Sequence, residues 1–168
     1  MKKYLKIIII VGIVLAAVLL DQLTKYISIL YIPKNEADII TVIPNFFYLI
    51  EHHNTGAAWS LFQGNKFILL VIPFLAIGAF SYLVLKGNFV NMKFYTIGVA
   101  LMIGGTIGNL IDRLFRGYVI DFLKFYIFSY DYPTFNVADM CLVVGTIMFA
   151  IDTLFLEPVR KNKEENYE

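Results

Sequence analysis

Asp121 and Asp139 stand 18 residues apart, each at the edge of an apolar run, in the stretch GGTIGNLIDR, then VIDF, then FNVAD. Two carboxyl groups held close together cannot both ionise easily, so one pKa rises and the pair shares a proton. One carboxylate can then take a proton from an attacking water while the other donates to a carbonyl oxygen. The spacing leaves plainer roles open. Asp139 can be the N-cap of a following helix, and Asp121 a solvated loop acid. A charge at membrane depth costs about 2.5–3.5 kcal/mol, so polar residues that persist in apolar surroundings usually line a pathway or a site.

Other polar residues fall at informative spacings. Asn109, Asp112 and Arg113 follow Gly104, Gly105 and Gly108, and separations of three and four put Asn109 on one helix face with Asp112 and Arg113. Arg113 can hold a carboxylate or a substrate carbonyl, or can snorkel to a local partner. The glycines permit close helix approach. Asp21 and Lys25 are four apart and can pair, either as a helix-end ion pair or as support for a polar cluster. Asn54 and Gly56 open Asn54-Thr55-Gly56-Ala57-Ala58-Trp59, where Asn54 can bind an extended peptide or simply cap a glycine turn. His52 and His53 are adjacent, so their side chains diverge and do not readily bind one metal. With no H-E-x-x-H, a zinc site is discounted. Ser60 lacks a G-x-S-x-G context, and Ser28 near Lys25 makes no convincing Ser-Lys pair. The single cysteine, Cys141, excludes an intrachain disulfide and a multi-thiolate metal site.

These residues sit in a chain of 168 residues that is 59% hydrophobic and only 16% charged, with a mean hydropathy of +0.71. That composition marks a one-domain membrane protein. The net charge of +1, without a basic cluster, gives no sign of nucleic-acid binding. A spanning helix needs about 20 apolar residues. Four segments qualify, at about 7–26, 67–85, 94–114 and 138–156, the first read as an uncleaved helix. Pro73 is tolerable as a kink. The outer loops are then 32–66 and 112–137, with a charged, fraying tail at 157–168. Lys2, Lys3 and Lys6, Lys86 and Lys93, and Arg160, Lys161 and Lys163 fall on one side of a four-pass chain. The positive-inside rule makes that side, with both termini, cytoplasmic. In the first outer loop, strands at 38–43 and 46–50 predict a small β-hairpin or curled sheet at the membrane surface. The second outer loop is rich in aromatics.

Taken together, Asp21-Gln22-Leu23-Thr24-Lys25, the Asn54 to Trp59 block, Gly104 to Arg113, Val119-Ile120-Asp121-Phe122 and Phe135-Asn136-Val137-Ala138-Asp139 resemble lipoprotein signal peptidase, the type II signal peptidase of bacteria. The likeness covers nearly the whole chain. His53 stands where that family more often has arginine. The resemblance implies an all-α integral membrane protein of four helices, with an extracytoplasmic β-cradle and a short aromatic helix closing over the substrate. It implies an aspartic endopeptidase of the bacterial inner membrane. Its substrates would be prolipoproteins whose lipobox cysteine carries a diacylglyceryl group, cut just before that cysteine. Asp121 and Asp139 match the catalytic pair. Asn54, Gly56, Asn109, Arg113 and Asn136 match positions around the substrate and the pair, and Asp21, Lys25 and Asp112 match supporting polar positions. No metal or organic cofactor is implied. Two rival classes remain. One is a proton-coupled transporter or channel using Asp21, Asp121 and Asp139 as a relay. The other is a non-enzymatic scaffold whose polar residues only lock helices together.

Overall fold

The computed structural model describes residues 3–32, 39–56, 62, 64–87, 91–128 and 130–160. Ala57, Ala58, Trp59 and Ser60, the first residue of the expected 38–43 strand, and the tail beyond 160 lie outside the described residues. Four long helices carry the chain: α1 (Lys3–Tyr31), α2 (Lys66–Lys86), α3 (Lys93–Phe115) and α4 (Val137–Ile151). Each has a span long and apolar enough to cross a membrane. The first helix exceeds the expected 7–26 at both ends. Beyond α4, a π-helical turn (Asp152–Leu156) continues into helix as far as Arg160, so the segment expected as tail begins inside a helix. Pro73 is buried within a continuous α2.

The helix α3 is central and packs against the other three. Small residues allow it. A Cβ on Gly98 would lie 2.7 Å from the carbonyl oxygen of Gly145 in α4, and one on Gly108 would lie 2.5 Å from Oδ2 of Asp21 in α1. Gly104 faces Ala17, and Gly105 faces the carbonyl of Ala138. The expected role of these glycines in close helix approach is therefore met. The outward faces of α1, α2 and α4 expose Leu15, Leu19, Phe74, Leu75, Val143 and Ile147, surface suited to lipid rather than water.

Between the helices the chain forms a four-stranded antiparallel sheet in the order β1 (Ile40–Ile43), β2 (Phe47–Asn54), β3 (Val119–Ile127), β4 (Tyr130–Asp131). The predicted hairpin is present. The sheet is larger than predicted because the second loop contributes two strands, so the chain is not all-α. No helix occurs between α3 and α4 among the described residues. Alternating residues such as Phe122, Lys124 and Tyr126 suit a pleated surface better than a helix face. Stacked rings join the loops: Phe47 lies 4.5 Å from Phe125, which lies 5.7 Å from Phe135.

Candidate active site

The site forms where the sheet meets the ends of α3 and α4. Only three residues separate α3 from β3, so Asp121 emerges directly above the helix bundle. It is a buried strand residue, 1% exposed, and not the solvated loop acid that spacing allowed. After β4 the chain folds back along β3. Leu123 and Phe135 pair as an antiparallel bridge, with Phe135 N donating to Leu123 O at 3.1 Å and Leu123 N to Phe135 O at 2.9 Å. This return sets Asn136 beside Asp121.

Asn136, not Asp139, is the N-cap of α4. Its side chain accepts from the Asp139 N–H at 3.0 Å, and Oδ2 of Asp139 accepts from the Asn136 N–H at 3.1 Å, a reciprocal capping box. The Asn136 amide also donates to Oδ1 of Asp121 at 2.6 Å. Asn109 donates to Oδ1 of Asp139 at 2.8 Å and accepts from Asn136 at 3.1 Å. Asn54 donates to Oδ2 of Asp121 at 2.9 Å and accepts from the Gly56 N–H at 2.9 Å, so it serves the carboxyl and caps a turn at once. Arg113 donates to the Gly56 carbonyl at 3.1 Å, and its Nε has no partner among the described residues.

Both carboxyls line one cavity of about 510 Å³, with Asn54, Asn109 and Arg113 in its walls. Burial pushes the Asp121 carboxyl up to about 7; the neighbouring Asp139 charge adds to the rise, and the bonds from Asn54 and Asn136 oppose it.

Beneath the cavity lies a fully buried polar layer. Lys25 is 2.9 Å from Asp21 and 2.9 Å from Asp112, and it donates to Asn109 at 3.0 Å; Asp21, Lys25 and Asp112 are all 0% exposed. Ser28 donates to the Lys25 backbone, which leaves no Ser-Lys nucleophile here. Oδ1 of Asp21 accepts the N–H of Ala138 at 2.9 Å, placing a carboxylate against the positive end of α4. Asp112 also accepts from Arg116 at 2.5 Å and from the Ile120 N–H at 3.2 Å.

Asn54, Asn109, Arg113, Asp121 and Asp139 therefore line this cavity, Gly56 and Asn136 bond to its walls, and Asp21, Lys25 and Asp112 form the layer below. Three participants were not singled out, and a fourth, His52, reads from sequence only as an unsuitable metal ligand. Arg116 is four residues after Asp112, a spacing that could have shown the pair. Gln22, which bonds Asp21 and Asp112, stands inside a quoted block. His52 and Lys124 line the cavity only because β2 and β3 pair across about 70 residues of chain, which local spacing does not register.

The family model for signal peptidase (SPase) II matches residues 13–155. The lipoprotein signal peptidase of Staphylococcus carnosus is 38% identical over 160 residues, covering 92% of this chain and 96% of that protein. The lipoprotein signal peptidase of Bacillus pumilus is 42% identical over 137 residues, covering 80% and 85%. A bacterial membrane enzyme solved by the in meso method at 2.3 Å superposes with a TM-score of 0.77 at 34% identity, over 86% of this chain and 87% of that one. A second, at 1.9 Å, gives 0.75 at 34% identity, over 87% and 92%. Site, fold and sequence agree: the chain belongs to the signal peptidase II family, the aspartic-type peptidases of the bacterial membrane.

Proposed function

We propose that this chain removes the signal peptide from diacylglyceryl-modified prolipoproteins by cutting before the lipidated cysteine, with Asp121 and Asp139 as the catalytic pair. The observation that carries the reading is the bridging of two buried-edge carboxyls by Asn136 and Asn109 over a cavity open to a substrate. With Asp121 held near 7, one proton on the pair is the natural state around neutral pH. The ionised member takes a proton from water as the water oxygen bonds to the scissile carbonyl carbon. The protonated member gives its proton to the carbonyl oxygen. Collapse of the diol returns that proton, breaks the C–N bond, and delivers the water-derived proton to the leaving amine.

Supporting roles follow from placement. Asn54 and Asn109 orient the carboxyls, and Arg113 offers its remaining donor to a substrate oxygen. Asp21, Lys25 and Asp112 anchor the start of α4, which carries Asp139, and the backbone beside Asp121 in β3. The lysine bias supports a topology with both termini in the cytoplasm and the sheet and cavity at the extracytoplasmic face. A signal peptide is itself a membrane helix, so its end and its lipid arrive together at that surface. The transporter and scaffold readings gain no support from a peptidase family.

The test is cleavage of a diacylglyceryl-modified lipobox peptide by the purified protein in detergent, beside Asp121→Asn and Asp139→Asn. Cleavage before the lipidated cysteine, lost in both variants, is expected. A folded wild type that does not cut would overturn the assignment.

A further inference from the structure

The pairing of β2 with β3 is interrupted beside the site. Leu49 lies opposite Leu123, but the next paired residues are His52 and Asp121. A regular ladder would step from Leu49 and Leu123 to Glu51 and Asp121, since each moves by two. The strand instead carries one extra residue, a β-bulge, and such bulges re-aim side chains next to active sites. The consequence is chemical. Without it a third carboxylate would face Asp121 and Asp139. With it an imidazole faces them, and Glu51, 4% exposed in its side chain, bonds His53 at 2.7 Å instead.

Residues directly opposite in an antiparallel pair share a face, with Cβ atoms about 4.5–5.5 Å apart. His52 and Asp121 both line the cavity accordingly. The other charged or titratable groups on its walls are Lys124 from β3, Arg113 from α3, Asp139 from α4 and Tyr132 after β4. Lys124 is ion-paired to Asp131, and Arg113 donates to Gly56. His52 is the group among these whose ordinary pKa falls near neutrality.

We propose that His52 is a positioning residue for the catalytic pair: its protonated imidazole, set opposite Asp121 by the bulge in β2, favours the ionised carboxylate and so sets the acid limb of the cleavage profile. This rests on the proposed role of Asp121 and Asp139. In the unprotonated form the same ring leaves Asp121 free to hold the shared proton.

The experiment compares wild type, His52→Gln, His52→Lys and His52→Glu for kcat/KM against pH on a diacylglyceryl lipobox peptide, with thermal stability measured alongside. Removing the positive charge with Gln is expected to move the acid limb up by about 0.5–1 pH unit, the size of one partly solvated charge at this distance. Lys is expected to return the limb to or below its wild-type position, and Glu to move it further up than Gln. A limb that stays in place in folded His52→Gln, or a loss uniform across pH, would overturn the inference while leaving the peptidase reading intact. A folded wild type that cuts nothing would overturn both. Direct titration of the Asp121 carboxyl by carbon-detected NMR is a second reading independent of turnover. An unchanged Asp121 titration in His52→Gln would equally sink the proposal.

Discussion

Asn136 donates its side-chain amide to Oδ1 of Asp121 at 2.6 Å while it heads the helix that carries Asp139. A single residue therefore fixes one carboxyl directly and the other through the first turn of α4. The arrangement makes the separation of the two acids a property of a helix cap, and helix caps are rigid, local and easily tested.

Replacing either Asp121 or Asp139 by Asn is expected to lower kcat by about 10²–10⁴-fold, the usual worth of a positioned acid or base. Both variants keep the side-chain shape and should insert and fold. Thermal unfolding in detergent, measured with the cleavage assay, separates lost chemistry from lost structure. Wild-type turnover in either variant would remove that residue from the catalytic pair.

Asn136→Ala removes the cap and the donor to Asp121 together. Loss of the cap alone costs about 1 kcal/mol, read as a lower unfolding temperature. Asn136→Ser retains a capping oxygen without the amide donor. It should recover most of the stability and little of the cleavage rate. Equal recovery of both would reduce Asn136 to a structural residue.

The buried layer predicts a different pattern. Lys25→Met leaves Asp21 and Asp112 buried without their shared ammonium, a change worth about 3–5 kcal/mol when one partner of a buried pair is removed. Expression and unfolding temperature should fall sharply. Asp21→Asn should behave in the same direction with a smaller effect, lowering stability more than the turnover of the surviving folded protein. A large loss of turnover at unchanged stability would give Asp21 a direct part in the reaction.

Much of this was legible in the sequence because spacing and hydropathy act locally. Twenty apolar residues make a span wherever they occur, and Asp21 with Lys25, or Asn109 with Arg113, are placed by the helix period alone. The failures share one cause. The second outer loop reads as an aromatic segment, and by the resemblance as a short helix, until β3 finds β2, and that pairing depends on residues about 70 positions away. Asp139 leaves a capping role open beside the carboxylate pair because acids before helices are common. That Asn136 takes the cap instead depends on Phe135 pairing with Leu123, a tertiary contact. His52 reads only as half of an unsuitable metal pair for the same reason, since its neighbour across the strand depends on a bulge.

The raised pKa of Asp121 has a consequence for stability against pH. Its proton is held more tightly in the folded protein, near 7, than in the unfolded chain, near 3.8. Its contribution therefore favours folding most below 3.8 and is lost as pH rises through about 7. Asp121→Asn removes this dependence. The unfolding temperature of the variant, relative to wild type, should rise between pH 5 and pH 8. A difference that is flat across that range would place the carboxyl near its ordinary pKa.

The bonds made by α4 also bear on how the protein comes to life during synthesis. Asp121, Asn54 and Asn109 leave the ribosome before Asn136 and Asp139, which arrive together at the head of α4. Until that segment inserts, the nascent chain holds one acid without its partner, and Asp21 lacks the Ala138 N–H that it receives in the finished protein. With Asp121 and Asp139 as the proposed pair, a translation product that ends before α4 is expected to be inert. On that reading, a host membrane crowded with signal sequences meets a working protease only once α4 is seated beside α3.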